Sequence, residues 1–213
     1  MSITVIDYGS GNLKSVAKAL ESAAKNIKNN SRIEVTSDPK VIAKSDKIVL
    51  PGQGSFRDCY FGIKKISGLI ETLNDFVLEK KKPILGICVG MQLFAKIGYE
   101  SKETSGFGWI DAEVRKINNM NKKLKLPHMG WNEIELQKDC FLFSNIKNKS
   151  HLYFIHSYEF KTKQKEYVVA TTNYGNSITV SIEKENIVGT QFHPEKSQKN
   201  GLIILENFLN WKL

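Results

Sequence analysis

The sequence predicts an α/β fold in which a mainly parallel central sheet is flanked by helices. Two observations carry this prediction. In the first half of the chain, short apolar runs alternate with segments of helical periodicity, which is typical of βαβ units. In the second half, strand-like segments follow one another closely, which indicates an antiparallel extension of the sheet. The length of 213 residues suits a single domain spanning residues 1–213.

In the first half, apolar runs that end at glycine, proline or a sharp turn are predicted as strands. These strands cover residues 3–8, 33–36, 47–50 and 83–88, and the third should end at Pro51-Gly52. Apolar residues spaced three and four apart predict helices over residues 13–24, 69–78 and 91–97.

In the second half, alternating or continuous apolar segments predict four further strands. They cover residues 152–160, 167–172, 178–182 and 187–192, with a hairpin turn at residues 183–186 between the last two. An amphipathic helix over residues 202–211 follows.

Composition excludes several classes of protein. No apolar run is long enough to span a bilayer, and residues 1–13 lack the basic start of a signal peptide, so we expect a cytoplasmic protein without membrane contacts. The three cysteines are far apart in the sequence, which argues against a disulfide framework. The cysteines and the four histidines also lack the spacing of a zinc site, so we expect no metal and no cofactor. The net charge of +9 comes from scattered lysines without interleaved aromatic residues, which argues against nucleic-acid binding.

The most informative segment runs from strand through a sharp turn into helix, with Cys88 at the turn. Gly86 and Gly90 flank it two residues away on each side, as in the G-x-S-x-G elbow that exposes a nucleophilic serine. A cysteine at a helix N-terminus is favoured as the thiolate, and the N–H of Val89 would then stabilise an oxyanion. The alternative, a buried structural cysteine between glycines, stays open on this segment alone.

A catalytic cysteine needs a base, and residues 190–197 contain His193 followed by Pro194 and Glu195. If the chain is extended there, His193 and Glu195 share one face, so that the carboxylate could orient the imidazole. A His-Pro turn with a solvated glutamate is the alternative. The motif alone is weak evidence and gains its weight from the cysteine elbow.

These motifs resemble those of the class I (triad) glutamine amidotransferases. The two family signatures are Gly-Ile-Cys-Val-Gly-Met-Gln at residues 86–92 and Gln-Phe-His-Pro-Glu at residues 191–195, and residues 51–56 match the oxyanion-strand motif. Further motifs at residues 7–13, 127–132, 153–158 and 193–197 resemble the glutaminase subunits of imidazole glycerol phosphate synthase. The matching motifs occur in the same order along nearly the whole chain.

The resemblance implies a role for each matching residue. Cys88, His193 and Glu195 would form the catalytic triad. Residues expected to line or bind the glutamine substrate are Gly52, Val89, Gln92, Glu100, Ser157 and Tyr158. Residues expected to face a partner and the ammonia exit are Asn12, Met129, Trp131, Tyr153 and Lys196. For Met129, Trp131 and Tyr153, the alternative is packing in the core. For Glu100 the alternative is a solvated carboxylate at a helix end, and for Lys196 it is a solvated lysine.

The resemblance further implies hydrolysis of glutamine to glutamate and ammonia, and transfer of the ammonia to a cyclase subunit with a (β/α)8 barrel. The two chains would form a heterodimer that makes imidazole glycerol phosphate and aminoimidazole carboxamide ribotide in histidine biosynthesis. Three alternatives stay open: a related glutaminase that feeds another synthase, for example in sugar modification, a catalytically silent binding protein of the same fold, and a cysteine-dependent hydrolase. Gly9-x-Gly11 hints at a dinucleotide site but lacks the third glycine, since position 14 is Lys14.

Overall fold

The structure is a computed structural model that describes residues 1–9, 11–118 and 124–212. Ser10, which belongs to the glycine-rich motif at residues 7–13, lies outside the described residues. In chain order the strands are β1 (Ser2–Ile6), β2 (Arg32–Thr36), β3 (Lys47–Gly52), β4 (Ile84–Cys88), β5 (Ala95–Gly98), β6 (Thr104–Ser105), β7 (Ile110–Lys116), β8 (His128–Glu133), β9 (Glu135–Leu136), β10 (His151–His156), β11 (Tyr158–Thr162), β12 (Val168–Asn173), β13 (Ser177–Lys184) and β14 (Ile187–Thr190).

Six α-helices accompany these strands in the described part of the chain. They are α1 (Leu13–Asn26), α2 (Pro39–Lys44), α3 (Phe56–Lys64), α4 (Leu69–Asn74), α5 (Val89–Gln92) and α6 (Gln198–Asn210). Helix α4 continues directly into a π-helical turn, Asp75–Glu79, so the predicted helix over residues 69–78 is confirmed in its extent. No helix in the described ranges is long and apolar enough to cross a membrane.

The main sheet has eight strands in the order β2-β1-β3-β4-β14-β13-β12-β9. The pairs from β2 to β14 are parallel, and the pairs from β14 to β9 are antiparallel. The parallel strands are continuous apolar runs, as expected of strands that are buried on both faces; Ile48, Val49 and Leu50 of β3 are fully buried. The predicted α/β fold with an antiparallel extension is confirmed.

Strand β3 does not end at Leu50 as predicted. Its parallel pairing with β4 continues through Pro51 and Gly52, which lie opposite Ile87 and Cys88. Proline lacks an N–H but keeps its carbonyl, and the Pro51 carbonyl accepts a hydrogen bond of 2.6 Å from the Tyr8 hydroxyl. The two strands therefore reach the same edge of the sheet together.

The predicted helix over residues 91–97 is wrong. Only one helical turn, α5, follows Cys88, and Ala95–Gly98 forms β5, which pairs with β7 in a second sheet ordered β11-β7-β5-β6. A short apolar run does not distinguish a buried helix from a buried strand by its periodicity. Tertiary pairing with β7 decides in favour of the strand here.

The predicted strand over residues 152–160 is divided in two at Ser157. Strand β10 pairs with β8, whereas β11 pairs with β7 in the second sheet. At the break, the Ser157 carbonyl accepts a hydrogen bond of 2.9 Å from the N–H of Ile117. The chain thus changes sheets at this point, directly beside the end of β4 described below.

A buried lysine fixes the end of α6. The Nζ of Lys47 lies 2.8, 2.7 and 2.6 Å from the carbonyl oxygens of Phe208, Leu209 and Trp211. Carbonyls at the end of a helix lack the N–H groups of a following turn, and here the Lys47 ammonium binds them, although the Phe208 carbonyl also accepts from the N–H of Trp211 at 3.2 Å. Burial lowers the pKa of Lys47 to about 8.

We predict that Lys47→Met lowers the free energy of unfolding by about 2–3 kcal/mol, because the helix-end carbonyls lose their donor while they stay buried. Lys44→Met is the control: it removes an exposed lysine three residues away and should change the free energy of unfolding by no more than about 0.5 kcal/mol. Urea unfolding of the three proteins measures both values. Equal stability of the two variants would contradict the role assigned to Lys47.

Candidate active site

The candidate site lies at the carboxyl ends of β3, β4 and β14. Gly52 ends β3, Cys88 ends β4, and His193 follows three residues after β14. Ligands of open α/β sheets characteristically bind at this edge of the sheet. The fold therefore brings together residues that are far apart in the sequence, as the sequence analysis required.

Cys88 has a backbone conformation that is rare for a residue with a side chain. Its φ is +55° and its ψ is −113°, at the last residue of β4 and directly before the first residue of α5. Such strained positions persist only where the surrounding structure enforces them, and they cluster at functional sites. The predicted sequence of strand, sharp turn at Cys88 and helix is present. The following helix has only one turn, so the macrodipole that we expected to favour the thiolate is small here.

The elbow depends on the absence of side chains at two glycines. A Cβ on Gly90 would lie 1.9 Å from the Leu50 carbonyl oxygen, and a Cβ on Gly52 would lie 2.4 Å from the Gly90 nitrogen. Contacts that short do not occur in proteins, so α5 approaches β3 closely because both residues are glycine. This approach sets where the N–H of Val89 lies relative to Cys88.

His193 and Glu195 form the contact predicted from the sequence. The Nδ1 of His193 lies 2.8 Å from Oε1 of Glu195, and the two side chains are 5% and 1% exposed. The contact was predicted from an extended backbone with both side chains on one face, and this backbone conformation was wrong. Residues Pro194–Lys196 form a 3₁₀ turn, and the chain is extended only at His193. The turn bends the carboxylate back toward the imidazole and so makes the same contact by another route.

Opposing effects act on the charge of His193. Burial disfavours the imidazolium, but the negative charge of a Cys88 thiolate and of Glu195 outweighs burial and raises the pKa of His193 to about 10. The His193 Nε2 has no hydrogen-bond partner within the described residues, although it is buried. An acidic N–H is thus available to a ligand beside the sulfur.

A cavity of about 370 Å³ opens at Cys88 and His193. Predicted substrate residues that line it are Val89, Gln92, Glu100, Ser157 and Tyr158. Gly52 was also predicted to line the substrate pocket, but it does not line this cavity and packs against Val89 and Gly90 instead. A depression of about 650 Å³ elsewhere, beside Glu159 and Lys161, holds no cysteine or histidine, and we assign the chemistry to the smaller cavity.

Glu100 lies at the edge of this cavity, after β5. Its Oε2 accepts a hydrogen bond of 2.7 Å from the N–H of Phe56, the first residue of α3. Partial burial raises the pKa of Glu100, against the effect of this hydrogen bond. One oxygen is therefore anchored, and the carboxylate is not the freely solvated group of the alternative interpretation.

Several residues around the sulfur were not predicted from the sequence. Gln53, Pro127, Ile155 and His156 also line the cavity. Gln191, the first residue of the His-Pro-Glu motif, is fully buried with its Nε2 3.6 Å from the Sγ of Cys88. Its place in a family signature was the available signal.

The other cysteines have different surroundings. Cys59 is fully buried, and its Sγ lies 3.5 Å from the Gln53 carbonyl oxygen. Burial raises the pKa of Cys140 to about 12, which keeps this thiol protonated at neutral pH. Within the described ranges, no group of three or more His, Cys, Asp or Glu side chains is arranged to hold a metal ion.

Four of the five predicted partner-facing residues lie near one another. Met129 and Trp131 of β8 are 63% and 46% exposed, which excludes the alternative of core packing for them. The Trp131 ring meets the ring of Tyr153 edge to face at 5.9 Å, and the Nζ of Lys196 lies 5.8 Å from the centre of the Tyr153 ring. Lys196 also lines the cavity, so this surface adjoins it. Asn12 is partly exposed at the residue before α1.

We predict that Glu195→Gln lowers the pKa of His193 by about one to two units, because it removes a negative charge but keeps the hydrogen-bond acceptor and the volume. Titration of the imidazole by ¹H–¹⁵N NMR measures this shift. Glu183→Gln serves as the control, since Glu183 pairs with Lys138 and not with His193. An unchanged pKa in Glu195→Gln would contradict the electrostatic coupling.

Known proteins match the chain over its whole length. A family profile described as "Glutamine amidotransferase class-I" matches residues 4–211. The imidazole glycerol phosphate synthase subunit HisH of Pelagibacter ubique (strain HTCC1062) is 57% identical over 210 residues, which cover 99% of this chain and 100% of that protein. The HisH subunit of Brucella suis biovar 1 (strain 1330) is 45% identical over 215 residues, which cover 100% of each protein.

Solved structures agree on the fold. The glutaminase domain of Trypanosoma brucei CTPS, solved with bound acivicin, has a TM-score of 0.66 to this chain at 16% identity, and the match covers 98% of this chain and 92% of that one. At such low identity the likeness shows the fold alone. The full-length matches to family and relatives go further: the chain belongs to the class I glutamine amidotransferases and, among them, to the HisH subunits of imidazole glycerol phosphate synthase.

Proposed function

We propose that this chain hydrolyses glutamine to glutamate and ammonia with Cys88 as nucleophile, His193 as acid and base, and Glu195 as the residue that orients His193. The observation that carries this proposal is the strained Cys88 at the mouth of a cavity, next to a buried His193–Glu195 pair. Residues 1–213 would form a single glutaminase domain, which the continuous core of buried apolar residues supports.

The reaction would begin with attack of the Cys88 thiolate on the carboxamide carbon of glutamine. The tetrahedral intermediate collapses when the carbon–nitrogen bond breaks, and the His193 imidazolium gives its Nε2 proton to the departing ammonia. A glutamyl thioester remains. The neutral His193 then takes a proton from water as the hydroxide attacks the thioester, and the carbon–sulfur bond breaks, which releases glutamate and restores the Cys88 thiolate beside the His193 imidazolium. The raised pKa of His193, about 10, supports its role as the acid at neutral pH.

The oxyanion would be stabilised by backbone N–H groups. The N–H of Val89 follows the nucleophile directly, and residues 52–54, at and after the end of β3, would supply a second N–H. Removing one donor of this kind typically costs about 3 kcal/mol of transition-state stabilisation. Gln53 and Gly54 on the cavity wall support this assignment.

The amino-acid end of glutamine would bind at the opposite side of the cavity. Glu100 would pair with the α-ammonium, and Gln92 with the backbone of Ser157 and Tyr158 would bind the remaining polar atoms. Glu100 is suited to this role because one oxygen is anchored by Phe56 and its carboxylate lines the cavity. A cation there would gain from the low local solvent exposure.

We predict that Cys88→Ala lowers glutamine hydrolysis at least about a thousandfold, since removal of a covalent nucleophile eliminates the main route. Cys140→Ala removes a thiol that stays protonated and should retain activity. Glutamate release measures both variants under the partner-stimulated conditions described below. Substantial hydrolysis by Cys88→Ala would sink the assignment.

The ammonia would pass to a cyclase subunit with a (β/α)8 barrel, in a heterodimer. There it would enter the conversion of a phosphoribulosyl formimino aminoimidazole carboxamide ribotide into imidazole glycerol phosphate and aminoimidazole carboxamide ribotide. Ammonia in neutral water is mostly ammonium, which is not nucleophilic, so direct transfer is required. The exposed Met129 and Trp131 beside the cavity, with Tyr153 and Lys196, support a docking face there, and Asn12 would extend it.

We predict that Trp131→Ala weakens binding to the cognate cyclase subunit by about 2 kcal/mol or more, because exposed tryptophans that become buried at interfaces are common hot spots. Tyr99→Ala, which removes an aromatic residue of 36% exposure that stacks on Arg115, is the control and should bind normally. Isothermal titration calorimetry measures both affinities. Normal binding by Trp131→Ala would place the interface elsewhere.

The partner is tested by glutamate release from this chain alone and with the cyclase subunit plus its ribotide. A large increase only in the mixture supports both the chemistry and the partner. High activity that the cyclase does not change would keep the glutaminase and discard this partner in favour of another synthase.

A further inference from the structure

We propose that Gln191 is a further residue that acts on the nucleophile, by donating a side-chain N–H to the Sγ of Cys88 and so stabilising the thiolate. We also propose that His128 and His156 are positioning residues for this amide. The inference deepens the proposed function and rests on it only in taking Cys88 as the nucleophile.

The contact with the sulfur is direct. The Nε2 of Gln191 lies 3.6 Å from the Sγ of Cys88, within the longer range of hydrogen bonds to sulfur, and Gln191 is fully buried. Its backbone is fixed as well, because its N–H donates to the Val180 carbonyl at 2.8 Å. As a thiol, Cys88 has an acceptor for its own proton in the Ile155 carbonyl, at 3.9 Å. As a thiolate, it can only accept, and Gln191 is placed to donate.

The orientation of the Gln191 amide follows from its neighbours. The Nε2 of Gln92 lies 3.1 Å from the Tyr158 carbonyl oxygen and 2.9 Å from the Oε1 of Gln191. A backbone carbonyl only accepts, so the NH₂ group of Gln92 must face Tyr158, and its second hydrogen points at the oxygen of Gln191. The NH₂ group of Gln191 is therefore directed at the sulfur.

The two buried histidines hold the carbonyl on which this orientation depends. The Nδ1 of His156 lies 2.9 Å from the Tyr158 carbonyl oxygen and must carry its proton. Its Nε2 then accepts from the Nδ1 of His128 at 3.0 Å, and the Nε2 of His128 accepts from the Asn132 amide at 3.2 Å. Each ring has one nitrogen that must donate and one that must accept, which leaves a single tautomer for each ring, and the other N–H of the Asn132 amide donates to the Asn173 carbonyl at 3.0 Å.

The histidines keep these tautomers because they stay neutral. Burial lowers the pKa of His128 to about 4 and that of His156 to about 3. The ring of His128 is also stacked against Tyr174 and Phe154, with centroid distances of 4.1 and 4.7 Å. Both rings are thus fixed in place and in protonation state, although neither touches Cys88 in the described contacts.

The test is the rate of Cys88 alkylation by iodoacetamide as a function of pH, measured on the full chain by mass spectrometry of the peptide that contains Cys88. Gln191→Met and Gln191→Leu should each move the pH of half-maximal rate upward by about 0.5–1 unit, since each removes the hydrogen-bond donor to the thiolate without adding a charge beside it. Gln191→Leu is a second uncharged replacement, so it decides the test if Gln191→Met does not fold.

His156→Leu should move the midpoint in the same direction by a smaller amount, because it acts only through Tyr158 and Gln92. Gln137→Met is the matched control, since the Gln137 amide binds Glu135 and Thr171 far from the site, and its midpoint should not move. In stimulated glutaminase assays, Gln191→Met should lower kcat about tenfold with little change in KM, which a merely structural defect would not do.

Unchanged midpoints in folded Gln191 variants would overturn the inference while leaving the proposed function intact if wild-type glutaminase is present. Shifted midpoints in a chain that shows no glutaminase activity with any partner would uphold the Gln191 contact and reject the proposed function. An equal shift in Gln137→Met would mean that the midpoint reports general destabilisation, and it would overturn the inference too.

Discussion

The candidate site depends on one steric constraint, the close approach of α5 to β3. The Leu50 carbonyl occupies the space where a side chain on position 90 would be, and the Gly90 nitrogen does the same for position 52. This approach places the end of β3 beside the strained turn at Cys88. Strands β4 and β14 run parallel to the same edge of the sheet, and His193 follows β14 there.

The charged groups of the site are stabilised by one another rather than by contact with water. His193 and Glu195 are almost completely buried, and burial alone would favour a neutral imidazole. The carboxylate on one side and the sulfur on the other reverse that preference. Around this charged pair, the polar neighbours Gln92, Gln191 and His156 are neutral donors and acceptors, so they orient groups without adding a competing charge.

Much of the fold and the central residues of the site could be predicted from the sequence because they follow from local patterns. Strand periodicity, the hairpin at β13–β14 and helices α1 and α6 were confirmed. Helices α2 and α3 were missed although Asp38 and Ser55 cap them, at 2.8 and 3.0 Å from the N–H groups of Lys40 and Asp58, so the signal was present.

What could not be predicted depends on contacts between distant segments. The predicted strand over residues 152–160 is divided at Ser157 because its first part pairs with β8 and its second part with β7. Residues 95–98 form a strand because they pair with β7. The Gln191 contact with Cys88 likewise requires β4, β14 and residues 155–158 to be assembled first. Residues 193–195 show a different limit, since the predicted contact was right and the predicted backbone was not.

The glycines beside Cys88 are required by backbone packing, whereas the thiol is required only by the proposed reaction. Position 88 could lose its sulfur at the cost of one long hydrogen bond to the Ile155 carbonyl, whereas position 90 admits no side chain while β3 stays where it is. A single substitution at position 88 in a related protein could therefore remove the activity and leave the fold unchanged. In such relatives the two glycines would still be present, so only the residues at positions 88 and 193 would distinguish an active enzyme from an inactive one.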